Sequence, residues 1–390
     1  MNNLNLLNKN SINLDANASW GTSEEVWAEL CEMQAALGSL NPSSIHQGGQ
    51  RSRFLIEEAR DSIKDLLSLK SADKLIFTSG ATESNNTAIF SAMLGKKIKT
   101  AVVTSTIEHP SILEAAKKLA LLDHKVVFVQ PDSKGETSVD SILTNVNSET
   151  SILSLMLVNN ETGIINPVSQ IASNIQQQGI SCLVHTDAVQ ALGKIPVSFM
   201  DLNVDLMSIS GHKIGALAGV GALIVRDGLE IEPLLYGGPQ EKRSRAGTEN
   251  ILGIVSFGIA AKILKKSLKE RITKISQNRE IFWRELRDKI PNILPNVDLS
   301  KTSPNTLSLF IEDVNTSDLV VALDLEGIYI SSGAACASGK PGASHVLLGM
   351  GMSEERASQS IRISLKDSYP EEKLLEAAHK IISCIERIRG

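Results

Sequence analysis

The chain has 390 residues, 42% of them hydrophobic, and a formal net charge of −5. That length allows one large domain plus a smaller one, and the apolar content is enough to build full cores. Lys and Arg are scattered through an acidic chain and no apolar run approaches membrane-spanning length, so a nucleic-acid or membrane role has no support. The start, Met-Asn-Asn-Leu-Asn-Leu-Leu-Asn-Lys-Asn, lacks the charged and apolar regions of a secretory signal, which makes a cytoplasmic location the default expectation. Cys31, Cys182, Cys336 and Cys384 lie far apart with no Cys-x-x-Cys, so any cysteine that matters works as a single thiol.

After the Asn-rich start, Glu24 to Leu37 has an amphipathic helical pattern closed by Gly38. Asn41-Pro-Ser-Ser-Ile-His46 is a polar loop, and Gln50 to Leu69 returns to helical spacing. Short apolar runs follow at Leu75–Phe77, Ala101–Val103, Val126–Val129, Ile152–Val158, Cys182–Val184, Leu206–Ile209 and Ala222–Val225. Helical stretches such as Ser111–Leu122 and Val168–Gln178 separate them. Strands that are apolar throughout and alternate with helices predict a mostly parallel seven-stranded sheet between two helical layers. The last two runs are joined without room for a crossover helix, which leaves space for an antiparallel final strand.

From Ile251 a long charged helix is expected to reach Ile290, stopped by Pro291 and Pro295, as a link between domains. Thr306–Ile311, a helix at Ser317–Leu325, Ile328–Ile330 and a closing helix at Glu371–Ile388 then make a small α+β domain. The expected division is residues 15–260 for the large domain and 1–14 with 261–390 for the small one.

Chemistry concentrates at the predicted strand ends. Thr78-Ser-Gly-Ala-Thr-Glu-Ser-Asn85 passes from a strand into a helix, where free backbone N–H groups and the helix dipole favour an anion such as phosphate. Glu108-His109-Pro110 ends the next strand, and a flat imidazole there could stack on a ring and move protons. Asn159-Asn-Glu-Thr-Gly163 ends another. Asp187, in His185-Thr-Asp-Ala-Val-Gln190, suits a pyridinium nitrogen, although a helix cap would also explain it. Leu206-Met-Ser-Ile-Ser-Gly-His-Lys213 places Lys213 just past a buried strand, where a lysine can hold an aldehyde and where Ser210 and His212 could meet a phosphate. A phosphate cup, a stacking His, an Asp and a lysine together match pyridoxal phosphate.

With Asn41-Pro-Ser-Ser-Ile-His46, Thr78-Ser-Gly-Ala-Thr-Glu-Ser84, Asn159-Asn-Glu-Thr-Gly163, Ser210-Gly-His-Lys213, Arg245-Ala-Gly-Thr-Glu-Asn250 and Ser331-Ser-Gly-Ala-Ala-Cys336, the chain resembles the NifS-like cysteine desulfurases. These belong to the class V aminotransferase branch of fold-type I pyridoxal-phosphate enzymes, with an aspartate aminotransferase-like fold. The resemblance implies Lys213 as the cofactor lysine, Asp187 on the pyridine nitrogen, Gln190 at the ring hydroxyl and His109 stacked on the ring and moving protons. It further implies Ala81, Thr82, Ser210 and His212 around the phosphate, and Thr248 reaching the phosphate of a partner subunit, hence a homodimer.

Ser331 to Ser344 is small, Gly-rich and aperiodic, so Cys336 is expected on a mobile loop. There the resemblance implies that it takes sulfur from L-cysteine as a persulfide, releases alanine and passes the sulfur to an acceptor protein, for example an iron–sulfur scaffold. Arg362, in the apolar run Ile361-Arg-Ile-Ser-Leu365, suits a bidentate grip on the substrate carboxylate, with Asn160 opposite and a structural salt bridge as the competing account. Gly215-Ala-Leu-Ala-Gly219 and Gly237-Gly-Pro239 depart from the family pattern without touching these residues. A selenocysteine lyase, a class V aminotransferase and a non-catalytic sulfur-carrier scaffold are the rival readings.

Overall fold

A computed structural model describes residues 11–33, 41–93, 101–332 and 343–390. The main sheet has seven strands: β2 (Lys74–Thr78), β3 (Ala101–Ser105), β4 (Lys125–Val129), β5 (Thr150–Ser154), β6 (Leu183–Asp187), β7 (Leu206–Ser210) and β8 (Gly221–Val225), in the order β2-β8-β7-β6-β5-β3-β4. All neighbours are parallel except β8, which runs antiparallel to both β2 and β7. The short link from β7 to β8 forces that reversal, because a parallel return needs a crossover. Strands β3, β5, β7 and β8 are buried along their whole length, so their apolar runs are continuous rather than alternating.

Helices cover both faces: α1 (Glu24–Glu32), α2 (Gln47–Leu66), α3 (Ala81–Met93), α4 (Pro110–Ala120), α5 (Val168–Gln177) and the start of α6 (Ile251–Lys289). Helix α2 begins earlier than its apolar pattern implies because His46 caps it, Nδ1 accepting from Gly49 N at 3.3 Å. The strand expected over Ile152–Val158 is assigned only to Ser154. Beyond it Leu157 N still donates to Asp187 O (2.9 Å), which carries this buried segment on to Asn160.

The later half of α6 leaves this core for a second one, where Phe282, Trp283 and Leu286 meet α7 (Thr316–Leu325) and α8 (Glu371–Arg389). Here β9 (Ile293–Pro295), β10 (Thr306–Ile311) and β12 (Ser360–Ser364) form an antiparallel sheet in the order β12-β10-β9. The first strand, β1 (Ile12–Asn13), pairs in parallel with β11 (Ile328–Tyr329) as a separate two-stranded sheet against the same core. Among the described residues no helix is long and apolar enough to cross a membrane.

Candidate active site

The carboxyl ends of the central strands open onto a cavity of about 410 Å³. This is where a doubly wound sheet exposes its backbone ends. At one wall β2 stops at Thr78, Ser79-Gly80 makes the turn, and Ala81 and Thr82 open α3 with the free N–H groups of its first turn. Thr78 Oγ1 and Ser84 Oγ, 2.8 Å apart, hold the turn together. Strand β8 passes directly behind it: a Cβ on Gly221 would lie 2.7 Å from the Gly80 carbonyl carbon, so only glycine fits. Ser210, the last residue of β7, and His212 line the same cavity. Burial, with Lys213 and Lys194 nearby, pulls the His212 pKa down to about 4, so it is neutral near pH 7.

Asp187, the last residue of β6, is 6% exposed. Its Oδ1 accepts from Val189 N (2.9 Å), which is the local turn contact the sequence allows, and its Oδ2 accepts from Asn85 Nδ2 (2.7 Å). Asn85 Nδ2 also donates to Ser111 Oγ (2.9 Å), which leaves the Ser111 hydroxyl proton for His109 Nδ1 at 2.8 Å. The backbone N of Ser111 donates to the same ring nitrogen (3.1 Å). Nδ1 is therefore an acceptor, and the neutral imidazole carries its proton on Nε2. Burial holds the His109 pKa below the ordinary imidazole value, with Lys213 and His345 pushing the same way and Asp187 opposing.

Lys213 Nζ donates to the backbone oxygens of Asn17 (2.5 Å) and Ala18 (2.8 Å), which aim it across the cavity mouth from the short turn after β7. Gln190 lines the cavity and donates Nε2 to Asn17 O (2.9 Å). Asn160 and Arg362 complete the wall. Arg362 pairs with Asp15 (Nη2 to Oδ1, 2.6 Å) and donates Nη1 to Asn160 O (3.0 Å), so a structural salt bridge is present. Even so, Arg362 Nε and Asn160 Oδ1 are buried and have no partner among the described residues. Both residues line the cavity, so a polar ligand bound there would meet side chains whose bonding is incomplete.

Ten of the site residues expected from sequence thus share this one cavity. Thr248 does not: it borders a separate pocket with Ser79 and Gly219, on a segment tied back by the Arg245–Glu83 ion pair (2.9 Å). Cys336 lies outside the described residues. The chain on either side of it is held at the site, Ser331 pairing backbone to backbone with Arg362 (2.8 and 3.2 Å) and Ser344 Oγ donating to Glu161 Oε2. Sequence reasoning missed Asn17, Asn85, Ser111 and Lys194. Asn85 ends the strand-to-helix motif that begins at Thr78, but only the fold shows what it touches.

The aminotransferase class-V family model matches residues 12–374. A cysteine desulfurase IscS from Dictyoglomus turgidum is 37% identical over 350 residues, 90% of this chain and 88% of that protein. Among solved structures, a NifS-like protein superposes with a TM-score of 0.89 at 32% identity, covering 97% of this chain and all of that one. SspA in complex with cysteine reaches 0.78 at 29% identity, covering 90% of this chain and 98% of that one.

Proposed function

The chain belongs to the aminotransferase class-V family as a pyridoxal-phosphate-dependent cysteine desulfurase, and from that premise we propose which of its residues carry the reaction. The buried polar atoms of Asn160 and Arg362 and the side-chain-free approach of Gly221 behind the anion turn fit the cofactor. Ala81, Thr82, Ser210 and His212 would hold its phosphate, Asp187 its ring nitrogen, Gln190 its ring oxygen and Lys213 its aldehyde carbon. When bound, pyridoxal phosphate supplies an electrophilic carbon for an amine and a ring that stores the electrons of a broken bond at the substrate α-carbon.

Asp187 accepts from two donors, Val189 N and Asn85 Nδ2, which hold its carboxyl group toward whatever nitrogen of the cofactor faces it. His109 is held neutral with its proton on Nε2, and as the imidazole of the cavity it would take part in proton transfer during turnover. Lys213 Nζ, released from Asn17 O and Ala18 O, is the base for the substrate α-proton. Arg362 and Asn160, which both line the cavity, would meet the substrate carboxylate. Cys336 as thiolate takes the sulfur: its thiol and L-cysteine become a persulfide and L-alanine, which balances without an outside oxidant. An acceptor protein then removes that sulfur, iron–sulfur assembly being one destination. A cytoplasmic homodimer, with Thr248 serving the partner's phosphate, completes the proposal. The division into residues 15–260 and 1–14 with 261–390 is supported by the two separate cores.

The observation that carries this reading is the convergence of Lys213, Asp187 and His109 on one cavity beside an anion-binding turn. The test is to incubate the cofactor-loaded protein with L-cysteine and a reductant and to quantify alanine and sulfide. Equal yields are expected from the wild type, with both lost in Cys336→Ala while the yellow cofactor absorbance persists. Alanine formed by that variant at the wild-type rate would remove Cys336 from the mechanism.

A further inference from the structure

Lys194 is 1% exposed, at the centre of the molecule, and the mechanism above does not use it. Its Nζ donates to Asn17 Oδ1 (3.0 Å) and to Gln190 Oε1. The charged groups that act on it are Lys213, Arg362 and Arg271, all cations, and no carboxylate among the described residues forms an ion pair with it. Burying an ammonium without a counter-ion is costly, and burial with three cations nearby drives this amine well below the ordinary lysine pKa. It is kept as a hydrogen-bond donor rather than as a charge.

What it donates to is informative. A glutamine amide can present either its oxygen or its nitrogen to a neighbour. Here both ends are specified: Asn17 O is purely an acceptor and requires the Gln190 nitrogen, while the Lys194 amine takes the oxygen. One N–H of Gln190 Nε2 is used on Asn17, and the other is left for the cavity that Gln190 lines. We propose that Lys194 is a positioning residue which locks the Gln190 amide with its N–H, and not its carbonyl oxygen, toward the ring oxygen of the bound cofactor. The proposal rests on the assignment of this cavity to pyridoxal phosphate. Without Lys194 the amide would be held by Asn17 O alone and its oxygen would lose its donor, so its orientation toward the ring oxygen would be less firmly fixed, and Asn17 Oδ1 would keep Asn305 Nδ2 (2.9 Å) as its remaining donor.

Lys194→Met keeps the length and apolar stem and removes the donor. The protein is expected to fold and to keep its Lys213-dependent visible absorbance. The absorbance maximum should be displaced, titration of the apo-protein with pyridoxal phosphate should show about tenfold weaker binding, and kcat for L-cysteine should fall with KM little changed. Gln190→Met should give the same displacement, and Lys194→Met added to Gln190→Met should change the spectrum no further. A wild-type absorbance maximum and cofactor affinity in Lys194→Met, with only the melting temperature altered, would overturn the proposal, as would spectral effects that add in the double variant. Should Lys194→Met not fold, Gln190→Met decides alone: a displaced maximum supports the proposal and an unchanged one overturns it. Lys213→Ala separates the underlying reading, since a chromophore that borohydride reduction still fixes covalently to that variant would remove Lys213 as the holder of the cofactor aldehyde.

Discussion

His109 shows how one residue serves two purposes. It caps α4, accepting Ser111 N, and the same contact fixes its neutral tautomer in the cavity. Because burial lowers its pKa below 6.5, the neutral form survives as pH falls through the ordinary imidazole range. If neutral His109 is the required form, the acid limb of kcat against pH for L-cysteine lies below pH 6.5. A limb centred above that value would assign the limiting ionisation to another group. The residue itself was legible in Glu108-His109-Pro110 at a strand end, but its tautomer was not. That depends on Asn85 and Ser111, which reach the site from two different helices and have no sequence signature as its partners. Arg362 was legible in the same partial way. A buried arginine in an apolar strand must have partners, yet which partners, Asp15 and the Asn160 carbonyl, is decided by chain segments far apart in sequence.

At the scale of the element, the apolar runs showed where strands lie and not the order in which they pair. Nothing local places β3 between β5 and β4. The order is set by burial of both faces and by crossover geometry, which are properties of the closed sheet. The same closure builds a polar rung that no run of residues announces. His185, in β6, contacts Ser154 Oγ of β5 through Nδ1 (2.8 Å) and Ser208 Oγ of β7 through Nε2 (2.9 Å), so one imidazole ties three parallel strands in a fully buried layer. Burial lowers its pKa to about 3. Below pH 6.5 the unfolded chain takes up a proton at this position and the native one does not. Stability is therefore lost on acidification from pH 6.5 towards 3, at about 1.4 kcal/mol per pH unit once the unfolded imidazole is charged. Glu108, Glu161 and Asp205, whose pKa values burial raises, act with the opposite sign, so the difference between variants is the useful quantity. His185→Gln should flatten the rise of unfolding free energy between pH 5 and 6.5 by about that slope in urea titrations. Parallel curves for the two proteins would show that His185 is charged in the native state.

Across the whole molecule the two cores meet at Asn17. Its Nδ2 donates to Asn160 O (3.2 Å) and Thr306 Oγ1 (3.0 Å), its Oδ1 accepts from Lys194 and Asn305, and its backbone oxygen accepts from Gln190 and Lys213. Strand ends of the large sheet and residues of the second core are thus joined through one residue beside Lys213. Among the described residues of the expected site, Thr248 is the one that lies outside the shared cavity. The Arg245–Glu83 pair ties its segment to the first turn of α3, and Thr248 borders a pocket of its own. The proposed role of this threonine is to serve the phosphate of a second copy of the chain, and that arrangement can be tested by complementation. Thr248→Asp sets a carboxylate against the phosphate and should weaken cofactor binding by at least tenfold, since like charges repel strongly where water is excluded. Lys213→Ala should be inactive. Mixed dimers of the two variants distinguish the arrangements. If Thr248 acts on the partner, the Lys213 of the Thr248→Asp subunit meets an intact Thr248 from the other subunit, and about half of the sites regain activity. If Thr248 acts within its own chain, every site that keeps Lys213 also carries the aspartate and mixing restores nothing. Sedimentation of the wild type supplies the other control, because a monomer that turns over L-cysteine would exclude a shared site whatever the mixtures show.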